Sequence, residues 1–255
     1  MPKLSIITIN YNNLAGLQKT MQSVFEQTFT DYEYIIIDGG SKDGSKEYIE
    51  QFADKLAYWV SESDEGIYDA LNKGSRIAKG EFLHHLNSGD IFHSKHALSL
   101  LFRENPMEDF VYCNQDLPGY YLKQYPDTLS YNFFCRDAVP HQATVIKRSF
   151  FEVAGPFSEA YRMGGDYKFF LEAVFLKQCS YRHVPITLTS FDMSGISTTH
   201  SEQLRNEFTL IREESLPNLV KEFEKLYSAK KRLELVEKSR AFRFIKLIRQ
   251  KLGIE

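Results

Sequence analysis

The sequence predicts an α/β fold, Rossmann-like, with a mostly parallel central sheet flanked by helices and a C-terminal helical extension. Three observations carry this reading. Short apolar runs alternate with helix-period segments through about the first 110 residues. Those runs are apolar almost throughout, as strands covered on both faces are. Polar turns, most of them rich in carboxylates, follow one strand after another.

LSIITIN (4–10) is the first strand, and YNNLAG turns into a helix whose inner face carries Leu17, Met21, Val24 and Phe25. Residues 32–38 form the second strand, and 45–53 a short helix with Asp43 as its cap. A third strand is expected over 55–61, a helix over 67–78 and a fourth strand over 81–86. Ser94 caps a helix over 95–102, and FVYC (110–113) is the fifth strand. The alternation then breaks. Residues 114–145 hold many aromatics, punctuated by Pro118, Gly119, Pro126 and Pro140, with no long period. Helices are expected over 147–154, 166–176 and 202–214, a strand near 181–188, and a helical stretch from Pro217 to Leu252.

With 255 residues, 43% hydrophobic, the chain suffices for one substantial domain with an appendage. No run of 18 apolar residues reads as a membrane span. The opening MPKLSIITINYNN reads as the start of a mature cytosolic fold. Cys113, Cys135 and Cys179 show no CxxC spacing and read as reduced thiols. From Ala229 to Leu252, nine basic residues face two acidic ones, a net of +7. The remainder therefore carries −10 against the chain's −3. That is a basic tail on a mildly acidic domain.

In open α/β sheets, ligands bind outside the carboxyl ends of the strands. Four polar stations fall there: Asn10 to Asn13, Asp38 to Asp43, Glu62 to Asp69 and Asn87 to Asp90. The first turn, NYNNLAG, lacks the GxGxxG of a dinucleotide site, and no GxxxxGK[ST] occurs. Carboxylates repel phosphate directly. They hold it through a divalent cation, or accept hydrogen bonds from a base and ribose instead. Asp38 suits the nucleotide, the plainer reading being a turn cap. Asp90 suits an oxygen-loving Mn²⁺ or Mg²⁺, held largely by substrate phosphates. His84 and His85, adjacent in a strand, point to opposite faces and cannot share one ion. In SESDEGIYDALNKG (61–74), helix capping needs one carboxylate where the loop offers four. In RMGGDYKFFLEA (162–173), Asp166 reads as an N-cap or as a general base approached over Gly164 and Gly165. His141 is a candidate near the reacting centre, and His200 a metal or phosphate ligand from the far side.

Assembled, these residues resemble the family 2 inverting glycosyltransferases of GT-A fold, particularly bacterial enzymes that build surface polysaccharide, over about residues 4–200. ITINYNN (7–13) matches the family's opening and IDGGSKDG (37–44) its (V/I)DDGSxDG motif. Asp64, Gly66, Ala70, Asn72 and Gly74 match D-x-G-x-x-x-A-x-N-x-G, and LNSGD (86–90) falls on the DxD region. The resemblance implies that Asp38 and Asp64 contact the nucleotide base, with Asn10, Asn12 and Asn72 in the same donor site. It implies that Asp90, completed by His200, serves a metal–diphosphate, and that Asp166 deprotonates an acceptor hydroxyl beside His141, Arg162 and Gly165. A nucleotide-sugar donor, UDP favoured over dTDP or GDP, and a glycan or lipid-linked acceptor follow. The sequence departs from the pattern where Gly39 replaces the second aspartate of DDGS, and where Asn87 and Gly89 stand at DxD positions.

The expected organisation is a GT-A domain over 1–215, with a nucleotide-sugar half to about 113 and an acceptor half beyond it. A basic amphipathic tail occupies 216–255. Tyr120, Tyr121, Tyr125 and Tyr131 are candidate sugar platforms. In AFRFIKLIRQKL (241–252), Ala241, Phe244, Ile245, Ile248 and Leu252 share one side, flanked by basic residues. Such a helix suits an anionic membrane surface, hence a cytoplasmic, peripheral enzyme. It equally suits packing on its own domain or on a second copy in a homodimer. An acidic main domain speaks against nucleic acid. Outside this class stands a catalytically inactive sugar-nucleotide or glycan-binding module of the same fold.

Overall fold

The structure is a computed structural model and describes residues 1–195 and 200–238, without the side chains of 233–238. It comprises two compact units, Met1–Thr209 and Leu210–Glu255. In the first unit the strands are β1 (Leu4–Asn10), β2 (Tyr32–Asp38), β3 (Tyr58–Ser61), β4 (Phe82–His85), β5 (Ile91–Phe92), β6 (Phe110–Leu117), β7 (Tyr121–Lys123), β8 (Thr144–Lys147) and β9 (Tyr181–Ser190). The helices are α1 (Leu14–Phe25), α2 (Ser45–Glu50), α3 (Ile67–Ile77), α4 (Ala97–Arg103), α5 (Tyr131–Phe134), α6 (Arg148–Ala154) and α7 (Gly165–Phe175). Helix α8 (Ser201–Ser215) runs across the boundary between the units, and α9 (Pro217–Lys238) belongs to the second. The expected membrane-facing helix over 241–252 lies outside the described residues.

The strands form one sheet in the order β3-β2-β1-β4-β8-β6-β9-β5, with β7 paired to β6. The pairs β3–β2, β2–β1 and β1–β4 are parallel, as the alternation of strand and helix requires. Strand β8 is antiparallel to both β4 and β6, so β6 again runs with β4, and β9 runs parallel to β6. The carboxyl ends of β1 to β4, β6 and β9 therefore open on one edge, where β5 and β8 begin.

The core follows from the apolar runs. Leu4, Ile6, Tyr34, Ile36, Phe82 and Val111 pack with Leu17, Met21 and Val24 of α1, all essentially without exposed surface. Fully burying each such aliphatic side chain contributes about 1.5–3 kcal/mol. On the other face, Phe151, Phe157 and Phe169 meet with ring centroids 5.2 to 5.4 Å apart, and His85 lies edge-on to Phe157. His84 stacks instead on Phe92. The two histidines do occupy opposite faces.

Element type was legible and extent less so. The helix expected over 45–53 ends at Glu50, a 3₁₀ turn covers Ala53–Lys55, and β3 begins only at Tyr58. Asp43 does accept the Ser45 N–H, but it also accepts the Leu14 N–H and so ties the start of α1 to the second turn. FVYC continues to Leu117, because Asn114–Asp116 pair with β9 through a register shift. Strands β5, β7 and β8 carry no period of their own and are defined by distant partners. Of the candidate sugar platforms, Tyr125 and Tyr131 are buried, and only Tyr120 and Tyr121 are exposed.

Candidate active site

The first station is a buried knot. Asn10 ends β1 directly beside Asp38 at the end of β2. Its amide donates to Asp38 Oδ1 at 2.8 Å and its own oxygen accepts from Ser88 Oγ at 2.7 Å. Asp38 also accepts from Ser41 Oγ (2.6 Å), Ser41 N–H (2.9 Å) and Ser61 Oγ (2.6 Å). Four donors occupy its two oxygens and it has no exposed surface. Asp38 is thereby a strut joining three strand ends. Asn12 is engaged with the second turn, its N–H donating to Ser41 Oγ and its oxygen accepting from Lys42 N–H.

Asp64 lies against Gly39 of the second turn. A β-carbon on Gly39 would lie 2.5 Å from Asp64 Oδ2 and 3.2 Å from the ring of Tyr11. The glycine where the family carries aspartate is what lets Asp64 close over the second turn. Asp64 Oδ1 accepts the N–H of Gly66, the residue that precedes α3, at 3.0 Å. Burial raises its pKa, opposed by that N–H and by Lys73 and supported by the charges of Asp69 and Asp38. Asp69 serves structure, accepting the Glu65 N–H and pairing with Lys73 at 3.1 Å. Asn72 is likewise structural: its amide bonds Phe157 O, Phe157 N–H and Glu159 Oε1, with no exposed surface to speak of. It clamps α3 to the segment before α7.

Asp90 follows β4 in a turn clamped by Thr20 of α1, whose hydroxyl donates to Asp90 O and accepts the Gly89 N–H. Its Oδ1 accepts the Asp192 N–H at 2.8 Å. The Asp192 carboxylate lies against Gly89, where a β-carbon would collide with Oδ2. Burial pushes Asp90 up to about 7, with the neighbouring Asp192 charge adding to it and the Asp192 N–H, His141 and Gln142 opposing. Two carboxylates and a glycine cleft give hard oxygen donors, which fit Mg²⁺ or Mn²⁺ shared with substrate phosphates. His200 is exposed at the start of α8, and among the described residues no group of three His, Cys, Asp or Glu surrounds Asp90. Asp192 was not singled out in the sequence. Nothing in FDMSG signals it, and only β9 pairing brings it to Gly89.

Asp166 stands in the first turn of α7, whose N-cap is Gly164 rather than Asp166. Gly165 packs so closely on Ser158 O and the Tyr68 ring that no side chain fits. Asp166 Oδ1 accepts from Tyr68 OH at 2.8 Å and from Tyr167 N–H at 2.9 Å, and Oδ2 accepts from His141 Nδ1 at 2.5 Å. Burial would raise Asp166, but the His141 charge and the bonds from His141, Tyr68 and Tyr167 outweigh it and hold the pKa below the ordinary value. Tyr68 is kept protonated by its own burial and by Asp166. Arg162 has an exposed side chain, and its backbone N–H is held by Glu207 at 3.2 Å. The fold brings His141 onto Asp166, and Tyr68, of which the sequence gave no sign, reaches it from 98 residues away.

A mostly parallel sheet with buried carboxylates along one open edge, and no phosphate loop after β1, is the build of a GT-A glycosyltransferase. The chain belongs to glycosyl transferase family 2, whose pattern its residues 5–158 match, and it is a glycosyltransferase. It is 33% identical over 205 residues to an uncharacterised glycosyltransferase of Mycobacterium tuberculosis, covering 77% of this chain and 78% of that one. Among solved structures it is similar in fold to Staphylococcus aureus TarS 1–349 in complex with UDP-GlcNAc. That match has a TM-score of 0.63 at 17% identity and covers 85% of this chain and 74% of that one. The chain spans 43% of the longer TarS chain. The mannosyltransferase PcManGT of Pyrobaculum calidifontis, in complex with GDP-Man and Mn²⁺, matches with a TM-score of 0.62 at 18% identity, over 80% of this chain and 61% of that one.

Proposed function

We propose that this protein is an inverting glycosyltransferase that moves a sugar from a nucleoside-diphosphate sugar to a hydroxyl of a glycan or lipid-linked acceptor. The observation that carries the reading is Asp166: an ionised carboxylate at a helix start, fixed by Tyr68 and His141. The acceptor hydroxyl gives its proton to Asp166 as its oxygen bonds to the anomeric carbon. The bond from that carbon to the diphosphate breaks on the opposite side, and the electron pair leaves with the phosphate oxygen. One in-line displacement inverts the centre. Asp64 and Tyr11 border the nucleotide side; Asp90 and Asp192 would hold a divalent cation. When bound, that cation neutralises charge on the leaving diphosphate. His141, Arg162 and Gly165 border the acceptor side, and Tyr120 and Tyr121 offer exposed rings to a saccharide.

UDP is the favoured nucleotide, supported by TarS as a UDP-GlcNAc complex, while the GDP-Man complex of PcManGT keeps GDP in view. Among the described residues no helix is long and apolar enough to cross a membrane. The basic segment 229–252 supports a peripheral place on an anionic membrane face in the cytoplasm, and sedimentation with phosphatidylglycerol vesicles, with and without residues 239–255, tests it. We expect Asp166→Asn to abolish sugar transfer while calorimetry still shows UDP binding. Turnover retained in Asp166→Asn would overturn the base assignment. Wild-type UDP binding with no turnover on any sugar would favour a binding module.

A further inference from the structure

Both oxygens of Asp166 are directed by named donors. Oδ1 is filled by Tyr68 OH and Tyr167 N–H, so the direction left for an acceptor proton is on Oδ2, beside His141. His141 is itself held from behind. Its Nε2 lies 3.2 Å from the Asn87 amide, and its Nδ1 faces Asp166. An ionised carboxylate only accepts, so the 2.5 Å contact places a ring proton on Nδ1, toward Asp166. Asn87 belongs to the turn that carries Asp90: its carbonyl accepts the Asp90 N–H at 3.0 Å. The imidazole thus spans from the donor-side turn after β4 to the first turn of α7.

We propose that His141, oriented by Asn87, is a positioning residue that keeps Asp166 ionised and aims Oδ2 at the acceptor, joining the base to the turn that borders the leaving diphosphate. The inference rests on Asp166 being the base. The charged and titratable groups facing His141 are Asp166 from α7, Asp90 after β4, and the buried His84 and His85 of β4. Tyr68 from α3 reaches the same carboxylate. Of these contacts to Asp166, His141 contributes the largest opposition to burial. Removing it leaves a desolvated carboxylate with neutral donors only, and its affinity for a proton rises. Asparagine at position 141 can offer an N–H where Nδ1 was, which alanine cannot.

The test is the titration of the Asp166 carboxyl carbon by NMR in wild type, His141→Ala and His141→Asn, with the Asp166→Asn protein assigning the signal. The midpoint should rise by about one pH unit or more in His141→Ala, with His141→Asn between it and wild type. In parallel, the acid limb of UDP release from UDP-GlcNAc should move to higher pH by the same amount. Its kcat should fall by about tenfold or more, with KM little changed. Asn87→Ala should shift the midpoint in the same direction by less. An unchanged midpoint in His141→Ala, in protein that melts and binds UDP as wild type does, overturns the proposal. If Asp166→Asn keeps turnover while the midpoint still moves, the base assignment fails and the His141–Asp166 coupling stands.

Discussion

Asp64 occupies the space that a side chain on Gly39 would need: a β-carbon there would come within 2.5 Å of Asp64 Oδ2. Where the DDGS-like motif has glycine for its second aspartate, a carboxylate from the next strand's loop fills the space. Gly39→Ala should fold normally, because the atom it meets is the free end of a movable side chain. UDP binding should weaken by about tenfold, on the order of 1.4 kcal/mol, as Asp64 is displaced. Calorimetry measures this, and unchanged affinity would remove Asp64 from the base pocket.

Asp38 should behave as a structural residue. In Asp38→Asn, the amide nitrogen faces the Ser41 N–H or the Asn10 amide, donor against donor. The cost is about 1–3 kcal/mol for a buried polar group left unpaired, seen as a melting point lower by several degrees. A direct nucleotide ligand would instead lose affinity at unchanged stability.

Asp192 should matter to the ion. With Asp192→Ala, UDP affinity measured in excess Mn²⁺ should fall toward the value measured with chelator, since Asp90 alone offers a poor set of oxygens. If the Mn²⁺ dependence is the same as in wild type, Asp192 has no part in holding the cation.

Acid should destabilise the fold through β4. Burial lowers His84 to about 4, and His85 lies well below its ordinary value. Both are neutral in the fold, while the unfolded chain protonates them below about 6.5. Their stabilising share is therefore present above that pH and is lost as pH falls toward 4, on the order of 3 kcal/mol for His84. Urea melts between pH 7 and 4.5 should show a shallower decline in His84→Leu than in wild type. Equal slopes would mean His84 is not held neutral.

The strand ends and their carboxylates were legible because each depends on local pattern. Apolar runs such as LSIITIN must bury both faces, and the polar residues just after them must fall on one edge of a parallel sheet. Asp90 and Asp64 were singled out this way, and Asp166 by the two glycines that precede it at a helix start. Asp38 and Asn72 mark the limit of such a reading: a buried carboxylate or amide reads the same in sequence whether its partners are a ligand or its own chain. The four donors around Asp38 and the three bonds of Asn72 come from segments that no local pattern links.

By itself, the sequence determined the α/β class, the order of the first four strands and helices, and the edge on which chemistry gathers. Periodicity and turn composition act over a few residues and survive in any context. Tertiary structure alone decided that β8 enters antiparallel between β4 and β6, bringing His141 to Asp166. It also decided that β9 delivers Asp192 to Gly89 and that Tyr68 reaches across 98 residues to Asp166. Those contacts are set by packing between segments distant in the chain, where no local propensity records the partner.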